Sequence, residues 1–421
     1  MTGPLYERDD TYALLAAEIE RAADGAGGTV LLRGATGTGR TAALEAAVSH
    51  ATAHGLHVLR ARCFPEGAEL PFATVLHLLG QGREFTQGIP GDEAGDSATG
   101  RRRQAAQLWR QLRSYAARTA LLLAVDDVHL ADDPSRRWLV DAARHIDELP
   151  VLLVATERCQ YDIDPQLAGF THALPPSLVR THTLAPLTGG SAAELCQAAF
   201  PTAGARWAAD CARAGAGSPL LLRALLEDLS SAPSPDLPET CAALYPGAYT
   251  AAVAWWLDSA GPATAEVAGT LAVLERSWPQ AIAEDPAALL ADVAGADPVR
   301  VSGWLTAMTR LGLLRPDTTG RLRYAHPLLR DAVLTDWSEV RRQQVHREAY
   351  RRLGKTAADS LEAAVTAGHS TLVQYAATAG DCMGRSAYEA QRPGLQRHFQ
   401  PLRALERENG TEPERDAEAE G

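Results

Sequence analysis

The segment Thr29 to Thr41, Thr-Val-Leu-Leu-Arg-Gly-Ala-Thr-Gly-Thr-Gly-Arg-Thr, constrains the fold more than any other part of the chain. Val30, Leu31 and Leu32 form a short apolar run suited to a buried parallel strand. Glycines follow at Gly34, Gly37 and Gly39, and Ala42 to His54 has the alanine-rich composition of a helix. Strand, glycine-rich loop and helix in that order curl bare backbone N–H groups round a phosphate chain and hand it to a helix N-terminus. The spacing is Gly34, four residues, Gly39, Arg40, Thr41, so the expected phosphate-binding residues are Gly34, Ala35, Thr36, Gly37, Thr38, Gly39, Arg40, Thr41 and Ala42. Arg40 stands where such loops carry lysine. A planar fork replaces a compact point charge there, which preserves phosphate binding and puts alignment of a reacting γ-phosphate in question.

A glycine-rich loop after a strand is also an ordinary turn, and further elements bear on the choice. Ala120-Leu-Leu-Leu-Ala-Val-Asp-Asp127 is an apolar run ending in two carboxylates, the way a buried parallel strand delivers charge to the carboxyl edge of its sheet. Asp126 is expected to hold Mg²⁺ opposite the Thr41 hydroxyl, and Asp127 to orient or deprotonate a water. Pro150 to Arg158 is another apolar strand whose exit offers Thr156 and Arg158 as sensors of a γ-phosphate. With Gly55 to Cys63 as a further strand and helices expected over Pro4–Ala23, Leu70–Leu79 and Arg101–Arg118, the pattern is α/β: a doubly wound parallel sheet with helices on both faces.

Beyond the sheet, Leu184 to Leu229 reads as helical with no strand signal, Gln81 to Gly100 as a loop, and Ser230 to Pro238 as a linker. Pro298 to Leu311 is amphipathic, and Gly312–Arg315 and Arg321–Tyr324 flank a Pro-Asp-Thr-Thr-Gly turn; helices followed by a short hairpin outline a winged helix. The expected division is a P-loop domain over 1–183, an all-α lid over 184–233, a winged-helix domain over 234–340, a helical segment over 341–405 and a disordered acidic tail over 406–421. Gly354-Lys355-Thr356 is a decoy, because Ala349 stands where the first glycine of such a loop belongs.

The net charge of −12 over 421 residues argues against broad nonspecific nucleic-acid binding while leaving a local basic face, such as the Arg101–Arg118 helix, available. Six cysteines without CxxC spacing suit a reduced interior. The start of the chain lacks a signal-peptide pattern and no apolar run reaches membrane-spanning length, so the expected location is cytoplasmic, without a membrane partner.

At these residues the sequence resembles the ATP-binding half of the large LuxR-type regulators of actinobacteria, within the STAND branch of AAA-like P-loop ATPases. The resemblance runs from about Leu5 to Leu353. Leu5-Tyr-Glu-Arg8 stands where that family has an apolar-Gly-Arg opening near the adenosine; Glu7 departs and Arg8 matches. Asp126-Asp-Val-His-Leu-Ala-Asp132 is similar to its Asp-Asp-x-His-Trp-Ala-Asp, with Leu130 for Trp, and Thr156 and Arg158 match its first sensor strand. Gly217-Ser-Pro219 resembles a Gly-x-Pro lid motif, implying that Pro219 packs on the adenine. Tyr324-Ala-His-Pro-Leu-Leu-Arg-Asp331 is similar to the Met-His-Asp segment of NLR-type switches, implying that His326 touches the ADP β-phosphate, with Pro327 a departure.

The resemblance implies an ATP- and ADP-binding, Mg²⁺-dependent regulatory switch acting in transcription, at most a slow ATPase, that works with itself or with a partner regulator. Those regulators also carry a helical-repeat region and a C-terminal helix-turn-helix, and the sequence after Leu353 is too short for both. The chain is therefore read as a short relative, a truncated one or a fragment. Two readings stand beside the switch: an AAA-type DNA loader or initiator whose winged helix holds DNA, and a nucleotide-free adaptor.

Overall fold

The computed structural model describes residues 6–65, 67, 70–80, 98–164, 170–231, 247–275, 286–318, 320–349 and 351–352. Leu5, positions 81–97 of the loop expected over Gln81–Gly100, the linker after 231, the decoy and all expectations beyond 352 lie outside the described residues, and Ala98 to Gly100, expected in that loop, are helical. Two compact units emerge, one holding residues up to Gln160 with 165–248, the other 161–164 with the chain from Tyr249 onward.

In the first unit the apolar runs become strands β1 (Gly28–Gly34), β2 (His57–Arg62), β3 (Leu121–Asp126) and β4 (Val151–Arg158), joined by β5 (Arg180–Thr183). All pair in parallel, in the order β2-β3-β4-β1-β5. Because the side-chain period of a strand is two, successive residues feed opposite faces. Leu31, Leu123, Val125 and Leu153 pack with residues of α3 (Ala73–Gly80), α4 (Ala98–Ala116) and α5 (Asp133–Ala143). Val30, Leu32, Leu122 and Val154 pack with α1 (Asp9–Ala23) and α2 (Arg40–Ala53). Both faces are covered, which is why the strands read as unbroken apolar runs instead of alternating ones. This is an α/β P-loop fold.

β5 had no counterpart in the sequence reading. Arg-Thr-His-Thr has no apolar run, and as an edge strand it pairs on one side only, with β1. Polar contacts hold it in place of packing: Arg180 Nη1 lies 2.7 Å from Glu18 Oε1, and Thr11 Oγ1 and His182 Nε2 are hydrogen-bonded at 2.8 Å. After it come α6 (Gly189–Ala199), α7 (Ala205–Gly215) and α8 (Pro219–Ser230), within the stretch expected to be helical.

The second unit contains α9 (Ala248–Ala260), α10 (Pro262–Leu274), α11 (Pro286–Ala294) and α12 (Pro298–Arg310), then an antiparallel hairpin of β6 (Leu314–Pro316) and β7 (Leu322–Tyr324), and α13 (Pro327–Val333). Pro327, a departure from the related motif, occupies the first turn of α13, where a missing N–H costs nothing and the fixed φ suits the helix. Among the described residues no helix is long and apolar enough to cross a membrane.

Asp132, at the end of the carboxylate motif, has a structural task. It caps α5 by accepting the Ser135 N–H at 2.9 Å, and it also accepts the N–H groups of Phe72 (2.8 Å) and Thr74 (3.2 Å). Phe72 has φ of 62°, so this carboxylate pins a strained turn at the start of α3. Asp132→Ala orphans three buried donors at about 1–3 kcal/mol each. Chemical denaturation is expected to show a loss of roughly 3 kcal/mol or more; a loss under about 1 kcal/mol contradicts this role.

Candidate functional site

Parallel pairing carries every strand end to one edge. Register sets Gly34 beside Arg158 and Arg62 beside Asp126. From that edge the loop leaves β1 and turns into α2. Gly37 and Gly39 have φ of 84° and 95°, a region costly for residues with a Cβ. A Cβ on Gly34 would lie 2.3 Å from Thr38 Oγ1, so only glycine fits there. Thr38 in turn closes the loop on itself, its hydroxyl donating to Ala35 O at 2.8 Å. Thr36 N–H donates to Gln160 Oε1 at 3.2 Å. Among the described residues, the N–H groups of Gly37, Gly39, Arg40, Thr41 and Ala42 find no protein acceptor. No acidic side chain of its own occupies the first turn of α2, so the helix does not itself offset the positive end of its dipole.

Facing the loop is the acidic pair. Asp126 Oδ2 accepts the Thr41 hydroxyl at 3.0 Å and Oδ1 accepts the Thr156 hydroxyl at 2.6 Å, while Thr156 Oγ1 accepts the Asp127 N–H at 2.7 Å. Thr156 was read as a γ-phosphate sensor; in the structure it is fully buried, and its single hydroxyl proton is committed to Asp126. It positions the acidic pair. Asp127, with φ of 53°, sits in the left-handed region that Asp tolerates better than most residues. Its Oδ1 lies 3.1 Å from Arg40 Nη2. Asp127 and the residue in the lysine position are thus an ion pair. Arg62 Nε lies 3.8 Å from Asp126 Oδ2, a neighbour the sequence reading missed although Arg62 ends an apolar-patterned strand next to the acidic one.

Burial sets the electrostatics. It pulls the Arg40 pKa down against the carboxylates of Asp127 and Asp126, and it pushes the Asp127 carboxyl up against the pull of Arg40. Arg40 is 8 % exposed and its Nη1 has no hydrogen-bond partner. A buried cation with an idle donor, beside five idle amides, is a donor set for an anionic oxygen. Arg158 ends β4, and its N–H donates to His129 Nδ1 at 3.4 Å, which leaves the His129 proton on Nε2. Burial, then Arg40 and Arg158, pushes His129 down to about 3. Cys63, buried beside Thr74, is pushed up to about 12 and is an inert thiol.

Arg8 is buried and donates to Glu7 O (2.9 Å), Thr38 O (3.0 Å) and Ala185 O (2.7 Å), tying the start of the chain to the phosphate loop and to the exit of β5. Glu7, which replaces the glycine of the related opening, keeps a glycine-like φ of 55°. Its carboxylate compensates by accepting from Thr188 N (2.9 Å) and Ser191 Oγ (2.6 Å) at the N-terminus of α6. Pro219 is half-buried in the first turn of α8, whose Ser218 Oγ and Leu220 N–H both donate to Gly37 O, at 3.3 and 3.2 Å. Pro219 is thereby beside the loop. His326 belongs to the second unit, where it is buried and its Nδ1 caps α13 by accepting the Leu328 N–H at 3.1 Å.

Among the described residues no three His, Cys, Asp or Glu side chains converge as a metal site. The adjacent oxygens of Thr41 and Asp126 are hard donors of the kind a small divalent cation takes.

Over residues 4–154 the chain matches the family described as AAA ATPase domain. No curated protein matches the sequence. Similar solved structures include a RuvB variant of Thermotoga maritima, at 15 % identity over 75 % of this chain and 91 % of that chain, with a TM-score of 0.38. A Pyrococcus horikoshii STAND protein with a tetratricopeptide repeat sensor is 16 % identical over 94 % of this chain and 58 % of its own, at 0.32. The Aeropyrum pernix ORC2 protein is 15 % identical over 79 % and 95 %, at 0.41. Likenesses this distant carry nothing about function. Residues 4–154, by family match and by the loop and acidic pair they contain, form an AAA-type P-loop ATPase domain.

His129 stays neutral in the folded chain well below the ordinary histidine pKa of 6.5, whereas the unfolded chain takes up a proton there. The unfolded state therefore binds more protons from pH 6.5 down to about 3, and stability falls as pH falls through that window. His129→Gln keeps an acceptor for Arg158 and removes the titration. Between about pH 6 and 4 the wild type is expected to lose about 1 kcal/mol more per pH unit than the variant in denaturant titrations; parallel curves contradict this.

Proposed function

We propose that the chain is an ATP- and ADP-binding regulatory switch of the STAND class, acting in transcription control and hydrolysing ATP slowly or not at all. The observation that carries it is the phosphate-shaped set of idle donors, the amides of Gly37, Gly39, Arg40, Thr41 and Ala42 with the buried Nη1 of Arg40. Gly34, Ala35, Thr36 and Thr38 shape that cradle. Thr41 and Asp126 would hold Mg²⁺, which when bound neutralises charge on the β and γ oxygens. Arg158, at the strand end beside Gly34, would sense the γ-phosphate. Arg8, which donates to Thr38 O, and Pro219, in the turn that donates to Gly37 O, would face the adenosine. ATP and ADP then shift the equilibrium between states by binding them unequally.

The Arg40–Asp127 ion pair supports slow chemistry. A water-orienting carboxylate needs its oxygens available, and here one is held by the residue that should face phosphate. The guanidinium therefore divides its donors between Asp127 and the nucleotide. Losing one aligned donor at a developing charge costs ~10²- to 10³-fold in rate while touching affinity little.

Wild-type protein is expected to bind ATP yet hydrolyse it barely above background, and Arg40→Lys to raise turnover roughly several-fold with affinity nearly unchanged. Steady-state phosphate release together with equilibrium binding measures both. Brisk wild-type turnover, or an Arg40→Lys variant with unchanged turnover beside an Asp127→Asn variant that is dead, overturns this account of Arg40. Absence of ATP and ADP binding selects the adaptor reading.

A further inference from the structure

The second unit contains a groove that the nucleotide reading does not use, between α10, α11, α12 and the β6–β7 hairpin, with a volume of about 470 Å³. That lies within the roughly 300–1,000 Å³ of small-molecule sites. We propose that this groove binds a small amphipathic carboxylate, a molecule with an apolar body and a single anionic head.

The body is specified by the floor and one wall. Leu271, Leu290 and Leu305 are buried and line the floor. Thr306 and Thr309 line the wall, but their hydroxyls are spent on their own helix, donating to Ser302 O at 3.0 Å and Leu305 O at 2.8 Å. They have no hydroxyl proton left for a ligand, and their methyl groups extend the apolar surface. On the hairpin side, Gly320 has φ of 84° and a Cβ there would meet no described atom within 4 Å, so none of the described residues closes that edge at Gly320.

The head is specified by charge. Three arginines, Arg310, Arg321 and Arg323, line the groove against one carboxylate, Glu275. Glu275 is already compensated: its Oε2 accepts the Tyr324 N–H at 3.2 Å and its Oε1 lies 3.9 Å from the buried Arg330. Arg323 is compensated as well, its Nε donating to Asp317 Oδ2 at 2.8 Å. Arg310 is exposed and, among the described residues, has no ion-pair partner. An apolar trough with a guanidinium at its rim that pairs with no described carboxylate complements a carboxylate, which an arginine fork meets with two parallel hydrogen bonds. A nucleic-acid backbone would use the same arginines but leave the leucine floor with nothing to cover it.

Isothermal titration of the full chain with decanoate tests this, with decan-1-ol as the neutral counterpart and a short DNA duplex as the competing class. Saturable one-to-one decanoate binding is expected, about five-fold or more tighter than decan-1-ol. Thr306→Trp, at an exposed position, fills the trough and is expected to weaken decanoate about ten-fold or more; Arg310→Glu is expected to erase the preference for the acid over the alcohol. Melting curves by circular dichroism confirm that both variants fold. No saturable decanoate binding, equal binding of acid and alcohol, or unchanged binding to Thr306→Trp overturns the proposal. So does duplex binding that depends on Arg310 in the absence of decanoate binding. None of these outcomes bears on the nucleotide site.

Discussion

A parallel sheet buried on both faces has one place to put charge, the edge where its strands end. Here that edge gathers Arg62, Asp126, Asp127, Arg158 and the glycine loop within one cluster. Its geometry rests on a single hydroxyl. Thr156 donates to Asp126 and accepts from the Asp127 backbone, so it fixes the Asp126 carboxylate and the left-handed turn that aims Asp127 at Arg40. Interior dielectric makes such a network strong when every group is satisfied and expensive when one is not. The idle donors of the loop are therefore the informative exception, because a protein that leaves them idle needs a ligand or water to complete them.

The replacement of lysine by Arg40 is a change of geometry more than of charge. A flexible ammonium can follow a phosphate; a buried planar fork has few directions, and one of them is already taken by Asp127. Burial disfavours the charged form of both partners, and each offsets that cost for the other through their ion pair.

Much of this was legible in the sequence because it follows from period and spacing. Apolar runs at Val30–Leu32, Leu121–Val125 and Val151–Ala155, short and bounded by loop and charged residues, read as strands covered on both sides, and the loop and acidic pair are placed by where those runs end. The rest was not legible, for definite reasons. β5 is held by Glu18 and Thr11 through polar contacts across sequence, which leave no periodicity. Thr156 offered a hydroxyl at the right strand exit, but which way a hydroxyl points is a tertiary fact. Glu7 looked like a lost glycine; only the structure reveals that it keeps glycine's backbone and is retained by a carboxylate cap on α6. Arg8 was read from its place in the opening motif, and no spacing rule shows that its guanidinium also ties into the loop through Thr38 O.

Calorimetric titration of the full chain with ADP and, separately, with adenosine, both with Mg²⁺, tests whether this loop holds the phosphate chain of a nucleotide. Saturable one-site binding of ADP, stronger by several orders of magnitude than binding of adenosine, is expected, because the loop's free donors address phosphate oxygens. Equal binding of the two, or no saturation by ADP, would contradict it.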